Sequence, residues 1–120
     1  MPLQLSSING NMVSVTASGQ LTDDDYERFV PEMERLIDQW GRLCMIFEMQ
    51  DFRGWDAQSL WEEFKFQARH RKDLNRVAVV GDKNWEHWAS SISRLFTGAD
   101  VRYFDREQSD EAMIWVRSGW

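Results

Sequence analysis

The sequence predicts an α/β protein with a mostly parallel five-stranded mixed sheet, an N-terminal antiparallel hairpin and about four helices. Three observations support this fold class. The chain opens with two alternating segments around Asn9-Gly10, and apolar strand-like segments follow at Leu43 to Met49 and Arg76 to Val80. Amphipathic helical patterns separate these segments, and alternation of strands with helices is typical of a parallel sheet covered by helices.

The first elements have clear boundary signals. Asn9-Gly10 favours a type I′ hairpin turn, because both residues tolerate positive φ. Thr22 is a candidate N-cap for the first helix, and three aspartates follow it, where they meet free N–H groups and the positive end of the helix dipole. Pro31 removes one N–H from this helix, so we expect a kink or a split there. Gly41 should end the helix.

The middle of the chain continues the alternation. The run Leu43 to Met49 is apolar on both faces up to Glu48, which is expected of an interior strand. The letters QDFRGW then suggest a loop. A second helix is predicted from Asp56 to about Arg69, followed by the buried strand Arg76 to Val80.

The last third predicts two more helices and one more strand. Asn84 is a candidate N-cap for a third helix, and Val101 to Phe104 forms the final strand. A terminal helix should begin at Ser109 or Asp110. The third helix carries one apolar stripe, made of Trp85, Trp88, Ala89, Ile92, Leu95 and Phe96.

Composition limits the function classes. The 120 residues carry 14 basic and 20 acidic side chains, a net charge of −6, so we expect no nucleic-acid partner. Cys44 is the single cysteine and lies in the apolar run LCMIFEM, which excludes an internal disulfide and favours a buried thiol. Seven tryptophans are more than a domain of this size usually needs.

Length and targeting signals suggest one cytoplasmic domain over residues 1–120. A chain of this length buries roughly two thirds of its unfolded surface in one core. No apolar stretch approaches the roughly 20 residues that span a bilayer, and the opening MPLQLSSING lacks the features of a signal peptide. We therefore expect a cytoplasmic protein, with peripheral contact at the inner membrane face as an extension.

Four segments carry a resemblance to a known family: GQLTDDDYERFVPEMERL, RGWDAQSLWEEFKF, RVAVVGDKNW and VRYFDREQSDEAMIWV. Together with the element order, they resemble the SpoIIAA-like family of the STAS superfamily. The resemblance implies a bacterial domain related to anti-anti-sigma factors. Proteins of this kind have been compared with CRAL-TRIO-type lipid carriers, and movable helices, membrane contact and small-ligand binding have been proposed for them.

The resemblance also points to a phosphorylation position. Anti-anti-sigma factors carry a regulatory serine in a D-S-S-G-L-type turn, and the matching segment here is Asp56-Ala57-Gln58-Ser59-Leu60. Alanine and glutamine occupy the two serine positions, so the phosphoacceptor is missing in register. Ser59 remains a candidate, because phosphate near a helix N-terminus is electrostatically favourable.

The second helix has more aromatic residues than one face can bury. At about 100° per residue, Trp61 and Phe64 share a sector with Leu60 and face the sheet. Phe66 projects to the opposite side, and Trp55 precedes the helix on the suggested loop. These two rings either fill gaps and staple the helix start, or serve as a binding surface.

A basic run follows these aromatics. It holds Lys65, Arg69, Arg71, Lys72 and Arg76 against Asp73 alone, a local charge of +4. Each basic residue near an anionic bilayer contributes on the order of 1 kcal/mol, so this run would support weak reversible membrane contact. The same charges at a helix C-terminus are also favourable to the helix dipole without any partner.

Two functions are therefore open. The first is a non-enzymatic module that takes up a small apolar or lipid-like ligand in a pocket under the second helix, lined by Trp61, Phe64, Trp55 and Phe66. The second is a protein-interaction module of the STAS type, docking through Trp55, Phe66 and Arg69, since Trp and Arg are favoured in hot spots. A homodimer formed by the same surface is a third outcome.

A catalytic site is a further alternative. Glu48, Asp51, Asp82 and Asp105 should lie near the carboxyl ends of strands, where open α/β sheets place ligands. Turn residues of this kind more often bond nearby backbone N–H groups. His70 and His87 lack partners at metal-ligand spacing, and no common nucleotide, flavin or hydrolase motif occurs, so we expect no metal and no cofactor.

Overall fold

The computed structural model describes residues 3–9, 11–56, 74–81, 86–88, 90, 92, 96 and 99–118. The elements in these residues are β1 (Leu3–Asn9), β2 (Met12–Leu21), α1 (Asp23–Trp40), β3 (Leu43–Trp55), β4 (Leu74–Gly81), β5 (Asp100–Asp105), a 3-10 turn (Arg106–Gln108) and α2 (Ser109–Arg117). The described residues at 86–88, 90 and 92 are also helical. The predicted second helix and the Asn84 cap lie outside the described residues.

The five strands form one mixed sheet in the order β1-β2-β3-β4-β5. β1 and β2 pair antiparallel, and every other neighbouring pair is parallel. The predicted fold class, with its N-terminal hairpin and parallel strands, is confirmed. Helical residues occur in three places in the described part of the chain, and about four helices were predicted.

The start of α1 follows the sequence signals closely. The Thr22 hydroxyl accepts a hydrogen bond from the Asp25 backbone N–H at 3.3 Å, and the Asp25 carboxylate accepts one from the Thr22 backbone N–H at 2.9 Å. This reciprocal pair is a capping box. Gly41 ends the helix, and its N–H donates to the Ile37 carbonyl at 2.7 Å.

α1 is not split at Pro31, so this alternative of the prediction is wrong, and the kink stays a prediction. One helix of 18 residues runs through Pro31, whose ring is exposed. Phe29 and Met33, on either side of it, are both buried in the core. Packing along the whole helix therefore offsets the hydrogen bond that proline removes, a loss of about 3 kcal/mol or more in an isolated helix interior.

The suggested loop QDFRGW is also wrong, because β3 continues through it to Trp55 and stays paired with β2. Gln50 pairs with Ser18 but Phe52 pairs with Gly19, so Asp51 is an extra residue in β3. It has a φ of 50°, a left-handed conformation. This arrangement is a β-bulge, in which one strand accommodates a residue that the other lacks.

A second bulge follows before the strand ends. Trp55 pairs with Leu21, so two residues of β3 lie opposite Gln20 alone. Gly54, one of these two residues, has a φ of 75°. Each extra residue reverses the alternation of side chains, and the two bulges together place Phe52 and Trp55 on the same face as Phe47.

The core lies on both faces of the sheet. One face carries alternate strand residues such as Val15, Met45 and Val79, which pack with α1 and with Ile92. The other face carries Cys44, Ile46, Ala78, Val80 and Phe104, which pack with Ala112 and Val116 of α2. Cys44 is a buried free thiol, as predicted.

Arg76 holds the end of α2 on the sheet. Its guanidinium donates to the Trp115 carbonyl at 2.7 Å and to the Ser118 hydroxyl at 2.8 Å, and lies 4.8 Å from the centre of the Trp115 ring. The Asp100 carboxylate oxygen Oδ2 lies 3.9 Å from Nε of Arg76. A cation at a helix C-terminus also stabilises the helix dipole. The sequence interpretation counted Arg76 in the basic run, but its contacts are with this protein's own helix and strand.

The third helical pattern agrees with the described residues. Ile92 and Phe96 are buried and Trp88 is half-buried, whereas Glu86, His87 and Ser90 are exposed. The described members of the apolar stripe therefore face the sheet. None of the described helices is long and apolar enough to cross a bilayer.

Candidate functional site

Aromatic rings cluster at the carboxyl end of β3, and we call this group the aromatic cluster. Its members are Phe47, Phe52, Trp55, Trp88 and Phe96. The ring centres of Phe52 and Trp88 lie 5.6 Å apart, those of Phe47 and Phe96 5.6 Å, and those of Phe52 and Trp55 6.2 Å. All three pairs meet edge to face, an arrangement in which the positive ring edge contacts the negative ring face.

The two bulges of β3 form this cluster. If Asp51 paired as a regular strand residue instead of forming a bulge, Phe52 would lie on the α2 face with Ile46 and Glu48. The bulge instead turns it to the α1 face, where it is buried against Phe47. Because β3 reaches Trp55, this tryptophan is a strand residue and not a loop residue.

Gly54 lets a helical residue approach the strand end. A Cβ at this position would lie 2.6 Å from Cη2 and 2.9 Å from Cε3 of Trp88, and closer still to Cζ3. The Trp88 ring therefore lies directly on the Gly54 backbone. His87 in turn packs against the Trp88 ring, with centres 4.7 Å apart. Sequence reasoning missed this contact, although a glycine inside a strand often marks a bulge or a close approach.

The cluster is open to solvent at its outer end. Phe52 and Phe96 are buried, whereas Trp55 and Trp88 are half-buried. Trp55 is the last residue of β3, and the predicted second helix begins one residue later. The Asp56 carboxylate accepts a hydrogen bond from the Gln20 side-chain amide at 2.6 Å. This bond holds the residue that follows β3 against the end of β2.

The exposed charged side chains at the carboxyl ends of the strands are mostly acidic in the described part of the chain. Arg106 donates to the Met49 carbonyl at 3.2 Å, which joins the turn after β5 to β3. The exposed charged residues at the strand ends are Asp51, Arg53, Asp56, Asp105, Arg106 and Glu107. Acidic side chains outnumber basic ones in this set, so this part of the edge does not itself attract an anionic surface.

The predicted site falls mostly on one segment of the chain, from Ser59 to Lys72. Ser59, Trp61, Phe64, Lys65, Phe66, Arg69, Arg71 and Lys72 lie outside the described residues. Trp55 is the predicted site residue that the structure describes, and it lies in the aromatic cluster.

The carboxylates considered for catalysis that the structure describes occupy different positions in the sheet. Glu48 lies on the α2 face of β3 between Thr16 and Val80, Asp51 is the bulge residue, and Asp105 ends β5. Asp82 lies outside the described residues. Within residues that the structure describes, no group of three His, Cys, Asp or Glu side chains could hold a metal ion.

A groove of about 770 Å³ lies away from this edge, between β1 and α1. Its walls include Leu3, Leu5, Phe29 and Leu36. It shares no lining residue with the aromatic cluster, so this groove and the predicted site are different places. The aromatic cluster is the site that contains a predicted binding residue.

Comparison with known proteins agrees with the fold. The family model described as SpoIIAA-like matches residues 12–117, which hold four of the five strands, both α1 and α2, and the whole aromatic cluster. The chain belongs to the SpoIIAA-like family. The resemblance found in the sequence is confirmed.

A solved structure shows the same SpoIIAA-like fold. It is the crystal structure of an uncharacterised protein from Shewanella loihica PV-4, which is 22% identical and superposes with a TM-score of 0.73. The match covers 95% of this chain and 91% of that chain. The search of curated proteins found no match. These comparisons establish the fold and the family of this SpoIIAA-like chain.

Proposed function

We propose that residues 1–120 form a single non-enzymatic SpoIIAA-like domain that binds a small apolar or amphipathic ligand at the aromatic cluster. The observation that carries this proposal is the position of Trp55. It ends β3, is half-buried on Phe52, and directly precedes the segment of Trp61, Phe64 and Phe66. The predicted second helix would supply the other side of the ligand pocket.

Burial of apolar ligand surface would provide the binding free energy. Burying a large apolar group contributes about 1.5–3 kcal/mol, and two or three such contacts give weak to moderate affinity after ordering costs. The edge-to-face rings of Phe52, Trp55 and Trp88 form a wall that is fixed by the core beneath it. A rigid wall of this kind loses little entropy on binding.

Membrane contact would be weak and would depend on basic residues outside the described part of the chain. The described carboxyl edge is acidic, so attraction to anionic lipid rests on Lys65, Arg69, Arg71 and Lys72. With about 1 kcal/mol for each, binding would be reversible and sensitive to salt. We therefore propose a cytoplasmic protein that makes peripheral contact with the inner membrane face, and a lipid or lipid-like molecule as the ligand.

Two lipid-binding measurements test this function. Native mass spectrometry of freshly purified protein should show a bound lipid, and the protein should co-sediment with phosphatidylglycerol vesicles at low salt. Trp55→Ala should weaken both signals. Trp40→Ala is the matched control, because Trp40 is 48% exposed and lies just before the amino end of β3. Absence of lipid in both measurements, or equal loss in both variants, would exclude the proposal.

Phe66 offers a separate test, because its two interpretations predict opposite results. If Phe66 is part of the core, Phe66→Ala should lower the free energy of unfolding by about 3–5 kcal/mol. If it belongs to the ligand surface, the same change should leave unfolding intact and weaken binding to phosphatidylglycerol vesicles.

A regulatory protein-interaction module is the second candidate function. Exposed Arg53 and half-buried Trp55 both lie at the end of β3, and these residue types are common hot spots. A partner that is retained from native extract by the wild type and lost with Trp55→Ala, in the absence of bound lipid, would favour this function. Ser59 would then be the phosphorylation position, and mass spectrometry of protein from its native cells would detect the added phosphate.

A further inference from the structure

β1 forms an edge of the sheet. Among the described residues it pairs with β2 alone, and Gln4, Ser6 and Ile8 are exposed. In an antiparallel pair, about half the residues of an edge strand direct their backbone N–H and C=O groups away from the neighbour. β1 therefore offers a row of backbone donors and acceptors to a further strand.

The two edges of the sheet differ in charge. The β1 sequence LQLSSIN has no charged residue and no proline, although 28% of the chain is charged. At the other edge, β5 has the sequence DVRYFD, and three of its six residues are charged. Proteins commonly protect sheet edges from pairing with charges or proline. β5 has this protection and β1 does not.

The groove beside β1 would accept the side chains of an added strand. Leu3 and Leu5 of β1 and Phe29 and Leu36 of α1 line it, and its volume is about 770 Å³. The two leucines of β1 are only half-buried and pack against the core on the α1 face. A strand placed next to β1 would direct every second side chain to this face.

We propose that β1 pairs antiparallel with β1 of a second copy of this chain, so that two sheets form one continuous sheet. The two-fold axis of such a pair is perpendicular to the sheet, and both copies therefore place α1 on the same face. Leu3 and Leu5 of each copy then lie next to the groove of the other copy. The same strand thus supplies both the backbone pairing and the apolar side chains.

The charges around the groove favour a second copy over a charged partner. The groove walls contain Arg28 and Arg35 together with Asp25, Glu27 and Glu32, so both signs are present. The whole chain has a net charge of −6, and its self-repulsion is weakest where the charges are mixed and β1 itself is neutral. This interface is separate from the aromatic cluster and does not depend on the proposed ligand.

Charge substitutions on β1 test the dimer. Sedimentation equilibrium of the wild-type protein should show a monomer–dimer equilibrium with a Kd in the micromolar range. Gln4→Lys with Ser6→Lys should raise this Kd by at least about tenfold, because antiparallel pairing near Leu5 places these positions opposite each other across the axis. Gln39→Lys with Ser90→Lys adds the same charge at exposed positions elsewhere and should leave the Kd unchanged.

A charge-reversal mixture makes the test specific. The variant with Gln4→Glu and Ser6→Glu should also be monomeric, but an equal mixture of the Lys and Glu variants should form a heterodimer, since opposite charges then face each other. Circular dichroism checks that each variant is folded. A wild type that stays monomeric at all concentrations, a Lys variant that dimerises as before, or a mixture that fails to associate would each overturn the proposal.

Discussion

Gly54→Ala should destabilise the protein because two separate costs add. Gly54 has a φ of 75°, and an L-residue in a left-handed conformation costs about 1–2 kcal/mol. The new Cβ would also lie 2.6 Å and 2.9 Å from two ring atoms of Trp88, and overpacking of this kind costs about 1–3 kcal/mol. We therefore expect the free energy of unfolding to fall by about 2–5 kcal/mol.

Gly19→Ala is the matched control for this change. Gly19 has a φ of 62°, and a Cβ there would meet no atom within 4 Å. This variant should lose only the conformational cost of about 1–2 kcal/mol. Any gain from a stiffer unfolded chain is about the same in both variants and cancels in the comparison. The difference between them isolates the contact with Trp88.

Urea unfolding followed by far-ultraviolet circular dichroism measures both variants. With a slope of about 2 kcal/mol/M, the Gly54→Ala midpoint should fall by about 1–2.5 M. In a Trp88→Ala background the ring is absent, so Gly54→Ala should cost no more than Gly19→Ala. If the two glycine variants lose equal stability in the wild-type background, the ring does not lie on Gly54 and the account of the aromatic cluster is wrong.

Three further predictions concern the rest of the fold. Arg76→Lys should lower the free energy of unfolding by about 1–2 kcal/mol, since lysine cannot reproduce the paired contacts with Trp115 and Ser118. Arg35→Lys is the control, because Arg35 forms an exposed ion pair with Glu32. It should lower the free energy of unfolding by less than about 0.5 kcal/mol in the same urea assay. Thr22→Ala should cost about 1 kcal/mol by removing the α1 cap, and no loss would show that the capping box is not formed. Cys44 is buried, so its thiol should react with a disulfide reagent only as fast as the protein unfolds, and rapid reaction with the native protein would contradict its burial.

Local signals in the sequence predict much of the fold. Thr22 and Gly41 each determine a boundary of α1 through capping chemistry that depends on few neighbours. Asn9-Gly10 marks the hairpin between β1 and β2, but Asn9 pairs with Met12 in the sheet and has no positive φ, so the type I′ turn predicted with Asn9 at a central position is wrong. The apolar runs at Leu43 and Arg76 identify the central strands, because strands covered on both faces need apolar residues throughout. The family resemblance then gives the topology, and the structure confirms it.

The end of β3 could not be predicted in the same way. Asp51 and Gly54 are typical turn residues, and both have positive φ in the structure, so the local signal is real. In β3 they form bulges and not a turn, because Phe52 and Trp55 gain burial on the α1 face when the strand continues. Pro31 is a second case, because the packing of α1 in the core keeps the helix continuous although proline removes one backbone hydrogen bond.

The sequence predicts one member of the aromatic cluster, Trp55, as a site residue, and it does not predict the arrangement of the cluster. The excess of aromatic residues indicated a working surface near Trp55, and the structure places Trp55 in a cluster of rings. Trp88 and Phe96 come from a segment more than thirty residues away, and no sequence pattern gives that proximity. The contact between Gly54 and Trp88 depends on the same long-range packing.

Quenching by lipids with brominated acyl chains tests the central claim, that apolar ligand groups bind at the Trp55 end of β3. Bromine quenches tryptophan only at short range, so titration with brominated phosphatidylglycerol should reduce the emission of the wild-type protein in a saturable way. Trp55→Phe should lose much of the quenched component, and Trp40→Phe should keep it. Quenching that is unchanged in Trp55→Phe, or that is lost with Trp40→Phe, would contradict the account.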